Sequence, residues 1–167
     1  MKLSRIIATG LGTGYTPVAP GTAGSILGVL LLFLINTSFN TFHLSFLNIA
    51  VLNLFIIFVV TALGLWSIRK VHQKEKHDAS IIVIDEIIGV WISLLAVPLH
   101  WQYYLIGLIL FRLFDIYKPL FIRKLDKLSN NWSVMLDDIL AGVYALILLQ
   151  AYIYIENLFC FKIWMLS

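Results

Sequence analysis

Ile81-Ile-Val-Ile-Asp-Glu-Ile-Ile-Gly-Val-Trp-Ile-Ser-Leu-Leu-Ala-Val-Pro-Leu99 is long and apolar enough to cross a bilayer, yet it carries two adjacent carboxylates near its start. An acid inside a membrane span is costly and marks a functional site by default. The rest of the chain has the same character. Of its 167 residues, 60% are hydrophobic and 13% charged, and mean hydropathy is +0.93. Soluble domains average about 45–50% apolar and about 25% charged residues. So few charges cannot cover a surface in water. A water-soluble monomer, a disordered chain and a fibrous repeat are excluded. What remains is an all-α polytopic membrane bundle, read here as one domain over residues 1–167. The single cysteine, Cys160, excludes an internal disulfide and any multi-cysteine metal site.

Four other apolar runs flank this one, giving about five transmembrane helices. Gly21 to Asn36 is short and can continue toward Phe39 and Phe42; Phe46 to Ser67 spans without help. Trp101 to Tyr117 is marginal in length, and Val134 to Ile155 spans. The aromatic tail from Glu156 to Ser167 is expected at an interface. Upstream, Gly10, Gly12, Gly14, Pro17 and Pro20 interrupt the apolar stretch after Lys2 and Arg5, so a cleaved signal peptide is not expected. Five spans place Lys2 and Arg5, the Arg69–Lys76 loop and the Lys118–Lys127 loop on one side, with ten of the 12 basic residues. The opposite loops, Thr37 to Ser45 and Leu99 to Gln102, hold no Lys or Arg. Basic loops stay cytoplasmic, so the N-terminus is expected inside and the C-terminus outside.

That topology collects carboxylates in one layer. Asp85 and Glu86 lie just inside the third span, Asp115 just before the end of the fourth, and Asp137 and Asp138 just inside the fifth. At 1.5 Å per residue all lie within roughly 8 Å of the cytoplasmic boundary. Like charges so close repel unless a cation holds them, and Mg²⁺ prefers such oxygen ligands. The stripes Glu86, Gly89, Ser93, Ala96 and Asp138, Ala141, Gly142, Ala145 are small or polar, as at close helix contacts. Glu86 and Asp138 are therefore expected to point into the bundle. Asp85 and Asp137, about 100° away on their helices, are expected at the rim, at a helix N-terminus or at lipid headgroups. A purely structural alternative pairs Asp115 with Arg112 one turn away.

Two more features share the cytoplasmic side. The glycine-rich run from Gly10 to Ser25 enters a helix N-terminus, where backbone N–H groups can meet a phosphate. Thr22 and Ser25 are spaced either to cap that helix or to bond a ligand oxygen. The run matches neither the P-loop nor the dinucleotide fingerprint. The loop from Lys118 to Lys127 alternates cationic and apolar residues. Attraction to anionic phospholipids, rather than nucleic acid, explains Arg123, Lys124 and Lys127. Lys118, three residues from Asp115, is placed to contact a substrate phosphate. His72, His77 and His100 read as surface residues, and His43 has no partner visible in sequence. Cys160 falls on the outer side, which argues against a cysteine-nucleophile phosphatase.

Together three blocks resemble the phosphatidylglycerophosphatase A family: Gly10–Ser25 with its Ala-Pro-Gly-Thr-Ala-Gly-Ser stretch, His77-Asp-Ala-Ser-Ile-Ile-Val-Ile-Asp-Glu-Ile-Ile-Gly89, and the pair Phe111-Arg-Leu-Phe-Asp-Ile-Tyr-Lys-Pro119 and Val134-Met-Leu-Asp-Asp-Ile-Leu-Ala-Gly142. They occur in family order and span most of the chain. Ala23 stands where many members have Trp, and Ala79 where Pro is common. The resemblance implies a multi-pass enzyme of the bacterial inner membrane, with its active site facing the cytoplasm. It implies Mg²⁺-dependent hydrolysis of the terminal phosphomonoester of phosphatidylglycerophosphate. The family's acidic positions fall on Asp78, Asp85, Glu86, Asp115, Asp137 and Asp138, and its basic ones on Arg112 and Lys118.

On this reading Asp85, Glu86, Asp115 and Asp138 are candidate Mg²⁺ ligands. Asp137 joins them as a candidate catalytic acid, and Asp78 supports them from outside. Gly21, Thr22, Gly24, Ser25, Arg112 and Lys118 are the candidate contacts to substrate phosphate. One carboxylate either takes the proton of an attacking water or attacks phosphorus itself. Two rival functions are a CDP-alcohol phosphatidyltransferase, whose spaced Asp-Gly and Ala-Arg signature is missing, and an ion-coupled transporter, whose acids belong nearer mid-bilayer. A structural membrane subunit explains the acids least well.

Overall fold

The structure, a computed structural model, describes residues 3–72, 81–119 and 133–166, with side chains described over 3–71, 81–119 and 135–159. Asp78, His77, Arg123, Lys124 and Lys127 lie outside the described residues, as do the side chains of His72 and Cys160. The described chain is helical throughout its regular structure: α1 Leu3–Ala8, a 3₁₀ segment Gly10–Tyr15, α2 Pro20–Thr41, α3 Phe46–His72, α4 Ile84–Ser93, α5 Trp101–Tyr117 and α6 Ser133–Leu166. Three of these, α2, α3 and α6, are long and apolar enough to cross a membrane.

Pro20 sits in the first turn of α2, where its missing N–H costs nothing. The helix continues beyond Asn36, as its sequence allows, to Thr41. The polar residues there satisfy their hydroxyls on its own backbone: Thr37 donates to the Phe33 carbonyl at 2.8 Å and Ser38 to that of Leu34 at 2.9 Å. A short link follows. Ser45 Oγ accepts from the Asn48 N–H at 3.3 Å and so caps α3. Much of α3 exposes large side chains, including Leu47, Val51, Phe55 and Phe58, as a lipid-facing helix must.

The third apolar run departs from expectation. Only Ile84–Ser93 is helical, roughly 15 Å of rise, and a turn follows at residues 94–96. Pro98 cannot supply the N–H that would continue the helix, and Ala96 adopts a left-handed φ of 53°. The freed carbonyls are satisfied from α6: Gln150 Nε2 donates to Leu95 O at 3.2 Å and to Ala96 O at 2.8 Å. Non-helical backbone at membrane depth requires such internal partners. The aromatic tail is helical, because α6 continues unbroken through it to Leu166.

The short α4 forms the centre of the bundle. It packs chiefly on α6 and α2 and also touches α3 and α5. Eight of its residues, among them Ile88, Val90 and Trp91, are buried, as the central position of the helix requires. Trp91 Nε1 donates to the Gly28 carbonyl of α2 at 2.7 Å. Against α6 the small stripes meet as expected: a Cβ on Gly142 would overlap the Gly89 carbonyl oxygen. Close helix approach through small residues is the membrane mode of packing. Segment 81–83, leading into α4, is tied to α1 by the Val83 N–H to Ala8 carbonyl bond of 2.9 Å.

Candidate active site

Asp85 and Glu86 occupy the first turn of α4, after Val83 as N-cap. A helix N-terminus carries partial positive charge and favours carboxylates there. Asp138 enters from α6, and ligand oxygens of Asp85, Glu86 and Asp138 lie within 4.8 Å of one another. Asp85 and Asp138 are each 4% exposed. The structure thus brings Asp85 into the cluster beside Glu86. On a helix flank the two would diverge, but side chains of a first turn project past the helix end and can converge. Asp115 of α5 stands beside Asp138, near enough for the two carboxylates to interact electrostatically.

The cationic side chains are held against this layer. Arg112 Nη1 donates to Asp115 Oδ2 at 2.6 Å, the one-turn pair foreseen as the structural alternative. Lys118 Nζ donates to Asp137 Oδ2 at 2.7 Å, joining the end of α5 to the start of α6. Asp137 also accepts the Asp138 N–H at 3.1 Å through Oδ1. Asp137 therefore lies beside the cluster and braces Lys118 and the Asp138 backbone.

The glycine segment reaches the same place. Gly21, in the first turn of α2, lies so close to Glu86 that a Cβ would overlap Oε1, and that Cβ would stand 3.3 Å from Arg112 Nη1. The N-termini of α2 and α4 thus converge on the carboxylates. The other three residues expected from this segment divide. Thr22 is half-buried in the same turn. Neither Thr22 nor Ser25 caps α2, whose N-cap is Ala19 without a side-chain bond. Ser25 is fully buried and spends its hydroxyl on the Gly21 carbonyl at 2.8 Å. Gly24 is a packing position, since its Cβ would lie 2.8 Å from Val83 Cβ. Both belong to the support of the site rather than its surface.

Three buried polar atoms here have no hydrogen-bond partner among the described residues: Asp85 Oδ1, Glu86 Oε2 and Arg112 Nε. Buried polar groups are normally paired, and orphans call for an explanation such as a bound ion or ligand. Two orphaned carboxylate oxygens within an all-oxygen donor set fit Mg²⁺. An orphaned guanidinium N–H fits an anion beside it. The reading by charge overlooked polar side chains without charge. Asn36, whose Nδ2 donates to the Tyr104 hydroxyl at 2.7 Å, and Gln150 are buried or partly buried in spans. The same cost of burial that singled out the acids applies to them.

A family model described as Phosphatidylglycerophosphatase A matches residues 6–153. A Haemophilus influenzae protein named Phosphatidylglycerophosphatase A is 40% identical over 155 residues, covering 87% of this chain and 86% of that protein. An Escherichia coli protein of the same name is 35% identical over 145 residues, covering 83% of this chain and 76% of its own. A Bacteroides thetaiotaomicron protein, whose name carries a provisional phosphatidylinositol-3-phosphatase assignment, is 40% identical over 147 residues, covering 86% of this chain and 89% of its own. No solved structure matches the chain significantly.

Proposed function

The chain belongs to the phosphatidylglycerophosphatase A family, and we propose that its carboxylate cluster hydrolyses the terminal phosphomonoester of phosphatidylglycerophosphate, releasing phosphate and phosphatidylglycerol. Membership makes it a lipid phosphomonoesterase of phosphatidylglycerol synthesis. The observation that supports the assignment of the site is the set of orphaned atoms: oxygens suited to a cation, and beside them an N–H suited to the phosphate.

In this reading Asp85, Glu86 and Asp138 hold Mg²⁺, with Asp115 at their edge. The ion would offset phosphate charge and make a bound water easier to deprotonate. The chain does the rest. Backbone N–H groups at the start of α2, at Gly21 and Thr22, receive phosphate oxygens. Arg112, its fork fixed by Asp115, turns Nε–H to the same group. These donors are already in place where negative charge gathers as the P–O ester bond breaks. Asp137 acts as a positioning residue, holding Lys118 at the headgroup. The attacking oxygen comes either from water, whose proton passes to a carboxylate, or from a carboxylate, giving an acyl phosphate that water then opens.

The topology belongs to the same proposal. With α5 and the α4 segment completing five crossings, the site lies at the cytoplasmic edge of the inner membrane. Cysteines placed at Asn40 and Lys124 should then be labelled from outside and protected, respectively. The deciding experiment is phosphate release by purified protein in micelles of defined lipid. Phosphatidylglycerophosphate should be cleaved far faster than phosphatidylinositol 3-phosphate, phosphatidic acid or glycerol 3-phosphate. Preference for the phosphoinositide would move the substrate to the one named for the Bacteroides relative.

A further inference from the structure

A groove of about 240 Å³ runs between α5 and α6, lined by Phe114, Pro119, Tyr144, Ile147 and Leu148. Every one of these side chains is apolar or aromatic, and Ile147 and Leu148 open onto the surface that faces lipid, at 59% and 48% exposure. Its position sets it apart from other lipid-facing surface. Phe114 and Pro119 flank Asp115 and Lys118 in the chain, so the groove begins beside the site. On α6, Tyr144 and Leu148 follow Asp137 by seven and eleven residues, two and three helical turns along one face. The Lys118–Asp137 ion pair is therefore next in the chain to the Pro119 end of the groove and two turns before Tyr144. Leu148, the deepest lining residue on α6, lies roughly 16 Å of helix rise beyond Asp137 toward the bilayer interior, about the depth of one leaflet. Phe114 and Tyr144 pack edge to face, with centroids 5.7 Å apart, and fix its wall.

We infer that this groove seats an acyl chain of the phospholipid substrate, and that the Lys118–Asp137 pair marks where headgroup gives way to chain. The inference rests on the lipid-phosphatase reading of the carboxylate site. A lipid whose phosphate reaches that layer must lay its chains along the bundle within a headgroup's length. The α5–α6 groove is apolar along its whole length and continuous with the residues of the site. Its occupant is substrate rather than bulk lipid because the residue next to its upper end, Lys118, is braced by Asp137 beside the carboxylate cluster.

The test uses the full-length protein in micelles. Leu148→Trp fills the lower groove from its lipid-open side. It should reduce the ratio of kcat/KM for a long-chain to a short-chain phosphatidylglycerophosphate about tenfold, the effect of one or two methylenes losing their seat. Phe58→Trp, on the exposed face of α3, should leave the ratio unchanged. An unchanged ratio in Leu148→Trp, or equal falls in both variants, overturns the inference. A second measurement is independent of turnover. Phosphatidylglycerophosphate carrying a diazirine midway along an acyl chain should crosslink to the Tyr144–Leu148 peptide, and less so in Leu148→Trp. A diazirine phosphatidylcholine should not. Equal labelling by both lipids would make the groove ordinary lipid contact and sink the inference. If wild-type protein hydrolyses neither chain length, the reading of the site fails, and the crosslink alone decides the groove.

Discussion

Gly21 of α2 abuts Glu86 of α4 so closely that any carbon at residue 21 would overlap the carboxylate. The contact connects the helix N-terminus proposed to receive the phosphate directly to a candidate metal ligand. Gly21→Ala should therefore displace Glu86 and lower kcat by about 10- to 100-fold, as misplacements of about an ångström do. The unfolding midpoint should move less than kcat, since the atom that must give way is the far end of a flexible side chain rather than packed core. Gly24→Ala gives the opposite pattern: its Cβ meets Val83 at 2.8 Å in packed surroundings, so stability falls first. Thermal unfolding in micelles beside steady-state kinetics separates the two. A wild-type rate in Gly21→Ala would reduce this contact to a packing detail.

Lys118 and Asp137 form the second coupled pair, with side chains 26% and 8% exposed. Removing Lys118 alone takes the cationic partner from a nearly buried carboxylate. A double-mutant cycle with Lys118→Met and Asp137→Asn should show a coupling of roughly 1–3 kcal/mol in stability. KM should rise in both single variants, because Asp137 acts through Lys118. Additive effects in the cycle would mean that the two residues work separately.

Much of this site is legible in the sequence because carboxylates inside apolar runs have so few benign explanations. Asp85, Glu86, Asp115 and Asp138 do gather, and the glycine segment does reach them. What escaped the sequence was geometry at helix ends. A helical wheel separates Asp85 from Glu86, whereas both belong to a first turn, where side chains leave the helix end. One boundary stays open in the sequence: the apolar run to Asn36 can continue toward Phe39 and Phe42, and the helix does run on, to Thr41, with the Thr37 hydroxyl satisfied by the Phe33 carbonyl. Ser25 looked available to a ligand until the Gly21 carbonyl claimed its proton. The third run reads unbroken to Leu99, through Pro98, and what makes its break tolerable is Gln150, some fifty residues away.

That break makes Gln150 a stability determinant. Gln150→Leu would strip donors from the Leu95 and Ala96 carbonyls at membrane depth. The loss should be roughly 1–2 kcal/mol, in the range of buried polar contacts within membrane proteins. It should appear in the unfolding equilibrium, with the KM for substrate unaltered, because the residue caps the end of α4 remote from Asp85. An unchanged midpoint would show that the turn after α4 holds without it.

The carboxylates themselves give the sharpest test. Glu86→Gln and Asp138→Asn keep shape while removing charge, so packing at the α4–α6 contact should persist and the proteins should still insert. Turnover should fall by at least about 100-fold in each, if the charge lost is that of a metal ligand or general base. Activity alone would not separate those roles. Mn²⁺ titration followed by electron paramagnetic resonance does, since it reads occupancy without substrate. Wild-type protein should bind Mn²⁺ in competition with Mg²⁺, and both variants should bind it at least about tenfold more weakly. Asp137→Asn should bind it nearly as wild type, because that carboxylate is committed to Lys118 and the Asp138 N–H. Full turnover in excess chelator, with no Mn²⁺ signal, would refute the metal site and leave the carboxylates to act as nucleophile and base alone.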